Sequence, residues 1–106
     1  MLAKGIQISG EEIEYAMGHR RYTILVLLNG EQVISSRNLK IISERFSLLR
    51  THKSSAVNPT YITEVTKDGI QTQSGFMAKF SRRRKAEILL LTGIHSKAYY
   101  SKHKSD

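Results

Sequence analysis

The sequence predicts a mostly β domain, in which short antiparallel hairpins accompany one small helix in the middle of the chain and a second near its end. Three observations predict it. A β-branched and leucine-rich run over residues 22–28 ends at Asn29-Gly30, a dipeptide typical of a type I′ hairpin turn. The apolar spacing changes to the helical period after Ser36. The chain has no β–α–β alternation, which excludes a Rossmann or receiver-type fold.

The first half of the chain is predicted to hold three strands and the first helix. In chain order they are a strand at residues 13–15, a basic loop at 18–21 that Gly18 opens, a strand at 22–28 and a returning strand at 31–35. Leu39, Ile42 and Phe46 then follow helical spacing. A short amphipathic helix is therefore expected, with Ser36 or Asn38 as its N-cap.

The second half is predicted to begin with a basic loop at residues 50–55. After it come a strand at 61–66, a turn at Asp68-Gly69, a strand at 70–73 and a strand at 76–80. Ser81 is expected to cap a final helix that runs through Leu91 and stops at Gly93. We therefore expect one domain over residues 1–93 and a polar, basic C-terminal tail over residues 94–106.

Charge is the strongest indication of a partner. The 106 residues contain 17 Lys and Arg against 9 Asp and Glu, a formal charge of +8 and a sequence pI near 10.0. This balance favours nucleic acid or an anionic membrane surface as the partner. The longest apolar run is far too short to span a bilayer, and no apolar signal core follows the first residues, so no membrane partner is expected. The absence of cysteine excludes disulfides and thiolate metal sites, and it fits a reducing cytoplasm.

Four consecutive cations, residues 82–85 (Arg-Arg-Arg-Lys), follow the expected N-cap Ser81. The position is unfavourable for stability, because a helix N-terminus carries positive partial charge and prefers acidic side chains. The same terminus, with its free N–H groups and added arginines, suits a phosphate. The four side chains cannot share one helix face, and a solvated charge run is the usual alternative.

The two predicted basic loops are the other candidate contacts. Residues 50–55 (Arg-Thr-His-Lys-Ser-Ser) offer two cations, a histidine and three hydroxyls, which together suit phosphate contacts. Residues 18–21 (Gly-His-Arg-Arg) lie between two strands, a place where loops reach ligands. An ordinary solvated loop is the alternative for both. The histidine spacings match no zinc pattern, and no catalytic motif is present, so no metal, cofactor or enzymatic activity is expected.

Residues 46–62 closely resemble the LytTR family of DNA-binding domains. The resemblance rests on Phe46, the Arg-Thr-His-Lys-Ser-Ser-Ala-Val-Asn run over residues 50–58, the Tyr61-Ile62 pair, and the later Phe-Ser-Arg-Arg at residues 80–83. Upstream segments match the early strands and first helix, so the resemblance covers about residues 13–90. It implies an elongated, mostly β domain of short antiparallel sheets with two short helices. It also implies that the domain reads successive major grooves of DNA through loops.

The resemblance places the base-contacting positions of the family in three parts of this chain. Lys53 matches the position after the motif histidine, and Arg83 matches the arginine of the Ser-Arg-Arg element. For the early loop His19 is the best match, with Arg20 and Arg21 as alternatives. The flanking residues complete the expected DNA-binding set, namely Arg50, His52, Ser54, Ser81, Arg82 and Arg84.

We therefore expect a cytoplasmic bacterial transcriptional regulator that binds specific double-stranded DNA. It is expected to be a monomer in solution, with two copies pairing on tandem sites, as the family suggests. Many relatives carry an N-terminal receiver or membrane module, for which this chain has no room, and residues 1–9 are expected to pair incompletely. Two alternatives remain: a non-specific nucleic-acid-binding protein, and a protein-interaction module whose charge aids solubility.

Overall fold

The computed structural model describes residues 8–66 and 68–92, so the predicted tail, the predicted stop at Gly93 and most of the first nine residues lie outside it. Within these residues the first element is a 3-10 turn at Gly10–Glu12, and another, Pro59–Tyr61, precedes β6. The strands are β1 (Ile13–His19), β2 (Tyr22–Leu27), β3 (Gln32–Ser35), β4 (Leu49–His52), β5 (Ser55–Val57), β6 (Ile62–Val65), β7 (Gly69–Thr72) and β8 (Met77–Lys79). The helices are α1 (Leu39–Phe46) and α2 (Arg82–Thr92).

The strands form two antiparallel sheets. One has five strands in the order β3-β2-β1-β5-β4, and the other has three in the order β6-β7-β8. The molecule is elongated, with principal extents of 48 × 26 × 18 Å. The predicted fold class, a mostly β, elongated arrangement of short antiparallel sheets with two short helices, is confirmed.

The first core lies between α1 and one face of the five-stranded sheet. Leu39 and Ile42 of α1 pack against side chains that alternate along the strands, including Ala16, Leu25 and Ala56. Asn38 begins the helix, because its side-chain oxygen accepts a hydrogen bond from the N–H of Ile41 at 2.9 Å. Of the two predicted N-caps, Asn38 is therefore the one that is used.

A β-bulge in β1 lets the same sheet support a second core on its other face. Glu14 is the extra residue between two positions that pair with β2, so Glu14 and Tyr15 both approach the three-stranded sheet. Tyr15 stacks on Phe76, with 3.6 Å between ring centroids and 3° between planes. Ile88 of α2, Val57 and Ile70 fill the space between the sheets. The start of α2 is thereby held against the end of the larger sheet.

The carboxylate of Glu14 joins the two sheets. It is 1% exposed and accepts hydrogen bonds from the hydroxyl of Thr72 at 2.7 Å and from the N–H of Ser74 at 2.8 Å. Burial acts to raise the pKa of Glu14, but the hydrogen bonds outweigh it, and the net effect is a lowered pKa. The ionised form of Glu14 therefore stabilises the folded protein.

Half of the predicted basic loop at residues 18–21 is strand. β1 continues to His19, which pairs with Tyr22, so only Arg20 and Arg21 form the turn. Gly18 does not open a loop. A Cβ at Gly18 would lie 3.3 Å from the Cβ of Leu39, so glycine here permits the close approach of α1 to β1.

The predicted basic loop at residues 50–55 is a β-hairpin made of β4, a two-residue turn at Lys53 and Ser54, and β5. Two of its three hydroxyls, those of Thr51 and Ser55, are buried and lie 2.6 Å apart in a hydrogen bond with each other. Because the two hydroxyls satisfy one another, the polar run can occupy the interior of a sheet. Only the hydroxyl of Ser54 is left at the surface.

The Asn29-Gly30 hairpin forms where predicted but not as a type I′ turn. The N–H of Gly30 donates to the carbonyl of Leu27, and the N–H of Leu27 donates to the carbonyl of Glu31, so three residues make the connection. Gly30 has φ of +91°, whereas Asn29 is not among the residues with positive φ. The glycine therefore serves a type I turn followed by a left-handed bulge residue, the usual three-residue alternative.

Candidate nucleic-acid interface

Side chains of the β4–β5 hairpin stabilise its turn through hydrogen bonds to the backbone of the turn. The half-buried Arg50 donates through Nε to the carbonyl of His52 at 3.4 Å and through Nη2 to the carbonyl of Lys53 at 3.2 Å. The N–H of Ser54 donates a hydrogen bond to Nδ1 of His52 at 3.3 Å. Because Nδ1 is the acceptor, a neutral imidazole carries its proton on Nε2. Arg50 and His52 thus support the turn, and Lys53 is the cation that the turn presents to solvent.

The start of α2 is attached directly to this hairpin. The N–H of Ser81 donates to the carbonyl of Thr51 at 2.9 Å, and the Ser81 hydroxyl accepts from the N–H of Arg84 at 3.2 Å. The predicted N-cap is therefore confirmed. Arg82 and Arg83 are exposed, whereas Arg84 is half-buried. Two guanidinium groups thus lie free to meet a ligand beside the first turn of the helix.

The β1–β2 turn is the third cationic element. His19, Arg20 and Arg21 are exposed, and Arg20 has a left-handed backbone with φ of 60°. The N–H of Gly18 donates to the carbonyl of Ser54 at 2.9 Å, which ties this turn to the β4–β5 turn. The left-handed conformation is uncommon for a residue with a side chain and fixes the direction in which the chain reverses.

Two open cavities on the same side of the molecule show which predicted residues come together. Arg20, Arg50, Lys53 and Ser54 line one, and Arg50 and Arg84 line the other. Because Arg50 lines both, the two cavities adjoin. The lining of these cavities does not include His19, Arg21, His52, Ser81, Arg82 or Arg83.

The charges in this region are close enough to affect one another. Burial, followed by the positive charge of Arg84, lowers the pKa of Arg50. Arginine stays protonated at any physiological pH, so the consequence is repulsion between two cations held near each other. Such an arrangement favours an anion between or beside them.

Sequence reasoning missed Lys40, which lines both cavities from α1. A signal was available, because Lys40, Ser43, Glu44 and Ser47 recur at the spacing of one helical stripe beside the apolar face. All four residues line the cavity that Arg84 also lines. The polar face of α1 therefore belongs to the same surface as the two turns and the start of α2.

Within residues 8–66 and 68–92, no helix combines the length and the apolar character that crossing a bilayer requires. The same part of the chain contains no group of three or more histidine, aspartate or glutamate side chains placed to hold a metal ion.

The comparison with family models identifies one family. The model of the LytTr DNA-binding domain matches residues 3–93. A solved LytTr DNA-binding domain from Bacillus cereus is similar in structure, with a TM-score of 0.71 over 84% of this chain and 88% of that chain, at 15% sequence identity. A search of curated proteins found none that matches. Because the family model covers most of the chain, this protein belongs to the LytTR family of DNA-binding domains.

Proposed function

We propose that this protein is a transcriptional regulator that binds specific sequences of double-stranded DNA. In this proposal Lys53 and Arg83 read base edges in the major groove, and one of the exposed residues His19, Arg20 and Arg21 reads a third position. The remaining cations hold the phosphate backbone. A bacterial cytoplasm is the compartment where such a regulator meets its DNA.

One observation carries the proposal. Four separate elements, the β1–β2 turn, the β4–β5 turn, α1 and α2, bring Arg20, Lys53, Lys40 and Arg84 to adjoining cavities on one side of the molecule. A merely solvated charge would be expected to spread over the surface, since like charges repel. Clustered cations instead favour a polyanion, and the family is one of DNA-binding domains.

The dimensions fit a footprint longer than one groove. One helical turn of B-DNA rises about 34 Å, and the molecule is 48 Å long. A domain of this length is able to reach from one major groove to the next across the intervening minor groove. Reading through turns rather than through a recognition helix also fits, because the exposed Lys53 belongs to a hairpin turn.

Selection of bound sequences from random duplexes tests the proposal. Sequence-specific binding predicts one enriched motif, with two copies when the natural sites are tandem. A protein that binds nucleic acid without readout would enrich no motif, and a protein-interaction module would retain no duplex. Binding to the selected site should also depend strongly on salt, with a log–log slope of about −5 to −7 for five to eight phosphate contacts.

We further propose that the protein is a monomer in solution and pairs only on DNA. Met17, Ile24 and Ile34 are aligned across three neighbouring strands, and Met17 and Ile34 are exposed. Three side chains make a small patch, whereas a stable interface uses about 20–30 residues on each side. Sedimentation equilibrium without DNA should give the mass of a monomer, and a stable dimer at micromolar concentration would contradict the proposal.

A further inference from the structure

The cavity between α1 and the start of α2 contains an unusual buried group. Ser43 is 4% exposed, and its hydroxyl is the one buried side-chain polar atom without a hydrogen-bond partner among the residues that the structure describes. A buried hydroxyl that bonds to nothing is costly, and serine in a helix usually reaches the carbonyl one turn earlier or solvent. Ser43 does neither, and it lines the cavity.

Three of the other six residues that line this cavity are cations, and the remaining three are Glu44, Ser47 and Leu48. Lys40 lies one turn before Glu44 on α1, Arg50 comes from β4, and Arg84 comes from α2. The open volume is about 380 Å³, which is ample for a phosphate group. Three cations against the carboxylate of Glu44 leave a net positive lining, and Ser43, which also lines the cavity, carries a neutral donor.

We propose that this cavity is a binding site for a phosphate group, in which the hydroxyl of Ser43 donates to one oxygen while Lys40, Arg50 and Arg84 compensate the charge. The bound oxygen supplies the missing partner of Ser43. The anion also relieves the repulsion between the guanidinium groups of Arg50 and Arg84, which, after burial, contributes to the lowered pKa of Arg50.

A phosphate group reaches this cavity from one of two sources. The first is a DNA backbone phosphate, because the cavity adjoins the one lined by Arg20 and Lys53. In this case the site deepens the proposed function and rests on it. The second is a free phosphate or phosphate monoester, which would bind without DNA. Both sources offer the same oxyanion chemistry, and experiment separates them.

The test is a titration of the ¹⁵N-labelled protein with inorganic phosphate against chloride at equal ionic strength. Phosphate should cause saturable shifts of the amide signals of Lys40, Ser43 and Glu44, and chloride should not. Ser43→Ala should lower phosphate affinity by about tenfold or more, the size of one hydrogen bond to a charged group. The melting temperature of Ser43→Ala should stay the same or rise, because the variant removes an unpaired buried group.

Two further variants test the electrostatic part. Lys40→Gln should lower phosphate affinity, whereas Glu44→Gln should raise it, since it removes the carboxylate that opposes the anion. Arg45→Gln is the matched control, because Arg45 is an exposed cation of the same helix that does not line the cavity. It should leave phosphate affinity nearly unchanged.

Duplex DNA distinguishes the two sources. If a bound duplex displaces phosphate and the two compete, the DNA backbone occupies the site. If phosphate still saturates the same signals in the DNA complex, the site takes a free phosphate ligand. Both results support a phosphate site.

The inference is overturned if phosphate causes no saturable shifts at Ser43, or if Ser43→Ala binds phosphate as the wild type does, which would mean that water alone satisfies the hydroxyl. That failure is distinguishable from failure of the proposed function. A wild-type protein that enriches a DNA motif but does not bind phosphate keeps the function and loses this site. A protein that binds phosphate but no duplex does the opposite.

Discussion

The β4–β5 hairpin and the start of α2 lie side by side but use their polar groups in opposite ways. The hairpin directs most of them inward, as Arg50 donates to two turn carbonyls and Thr51 bonds to Ser55. The first turn of α2 directs Arg82 and Arg83 into solvent, and Ser81 is its local cap. The hairpin is therefore rigid and presents a single lysine, Lys53, to solvent. The first turn of α2 is a cluster of cations, and contacts outside that turn stabilise the helix.

The difference teaches how a small domain can carry unfavourable charge. Arginines at a helix N-terminus oppose the helix dipole. Here Ile88 of α2 is fully buried in the second core, and the N–H of Ser81 is bonded to β4. Tertiary contacts thus stabilise the helix. Its first turn can therefore contain arginines that lower the stability of the helix but suit the binding of an anion.

The largest expected effect on stability comes from removing the carboxylate of Glu14, which joins the two sheets. Glu14→Ala should lower the free energy of unfolding by about 2–4 kcal/mol, because it leaves the hydroxyl of Thr72 and the N–H of Ser74 without their charged acceptor. Chemical denaturation at pH 7 measures it. The duplex affinity of the protein that remains folded should be unchanged, since Glu14 is remote from solvent.

The acid dependence of stability supplies the control for that variant. The folded pKa of Glu14 is lowered, so its contribution is complete above the ordinary glutamate pKa and is lost as the pH falls through the folded value. Glu14→Gln keeps an acceptor oxygen but no charge, and should therefore lose less stability than the wild type between pH 7 and pH 3. An equal loss would show that other carboxylates dominate.

The inward bonding of the hairpin is tested by Thr51→Val. This variant keeps the shape of the side chain but leaves the buried hydroxyl of Ser55 unpaired, which should cost about 1–3 kcal/mol of stability. Thermal or denaturant unfolding measures the loss. Thr51→Val combined with Ser55→Ala should recover part of it, because both partners are then apolar. If the double variant lost as much stability as the two single variants together, the hydrogen bond between the hydroxyls would not explain the loss in Thr51→Val.

The outward cations should affect affinity rather than stability. Arg83→Ala should cost about 1–3 kcal/mol on the selected site and little on random DNA, if Arg83 reads a base edge. Its melting temperature should stay the same or rise slightly, because a cation opposing the helix dipole is removed. Lys53→Ala should likewise lower affinity for the selected site and not for random DNA, because Lys53 is proposed to read a different base. Fluorescence anisotropy with matched specific and random duplexes measures both.

Equal losses on the two duplexes would make Arg83 a phosphate contact, and sequence preference would then come from another turn. Lys97→Ala, in the basic tail beyond the described residues, provides the comparison. It should weaken specific and random binding alike, as the loss of a phosphate contact does.

The smallest effect is expected at the cap. Ser81→Ala should lower stability by about 1 kcal/mol, because the N–H of Arg84 loses its acceptor. Ser81→Asn, which also caps well, should restore it. Duplex affinity should change little, since the hydroxyl of Ser81 is engaged within the protein. A loss of affinity in Ser81→Asn equal to that in Ser81→Ala would instead assign the hydroxyl to DNA.

Local signals in the sequence were sufficient for both helices and for six of the eight strands, whereas β4 and β5 were wrongly predicted as a loop. The caps Asn38 and Ser81 are single residues that satisfy a helix terminus within three positions, so they are readable from the chain alone. The charge block after Ser81 and the motif over residues 46–62 are contiguous as well. Fold class, family and the cationic character of the surface follow from such short-range patterns.

Long-range packing decided the rest. The carboxylate of Glu14 meets Thr72, 58 residues away, and Gly18 is a packing residue only because Leu39 lies against it. The register of β4 and β5 buries Thr51 and Ser55 and lets Arg50 donate to the carbonyl of Lys53 in the turn. Lys40 and Ser43 joined the interface because α1 packs beside β4 and lines a common cavity with Arg84 of α2. Side-chain roles of this kind depend on which distant atoms come within hydrogen-bonding distance, a property that no local spacing contains.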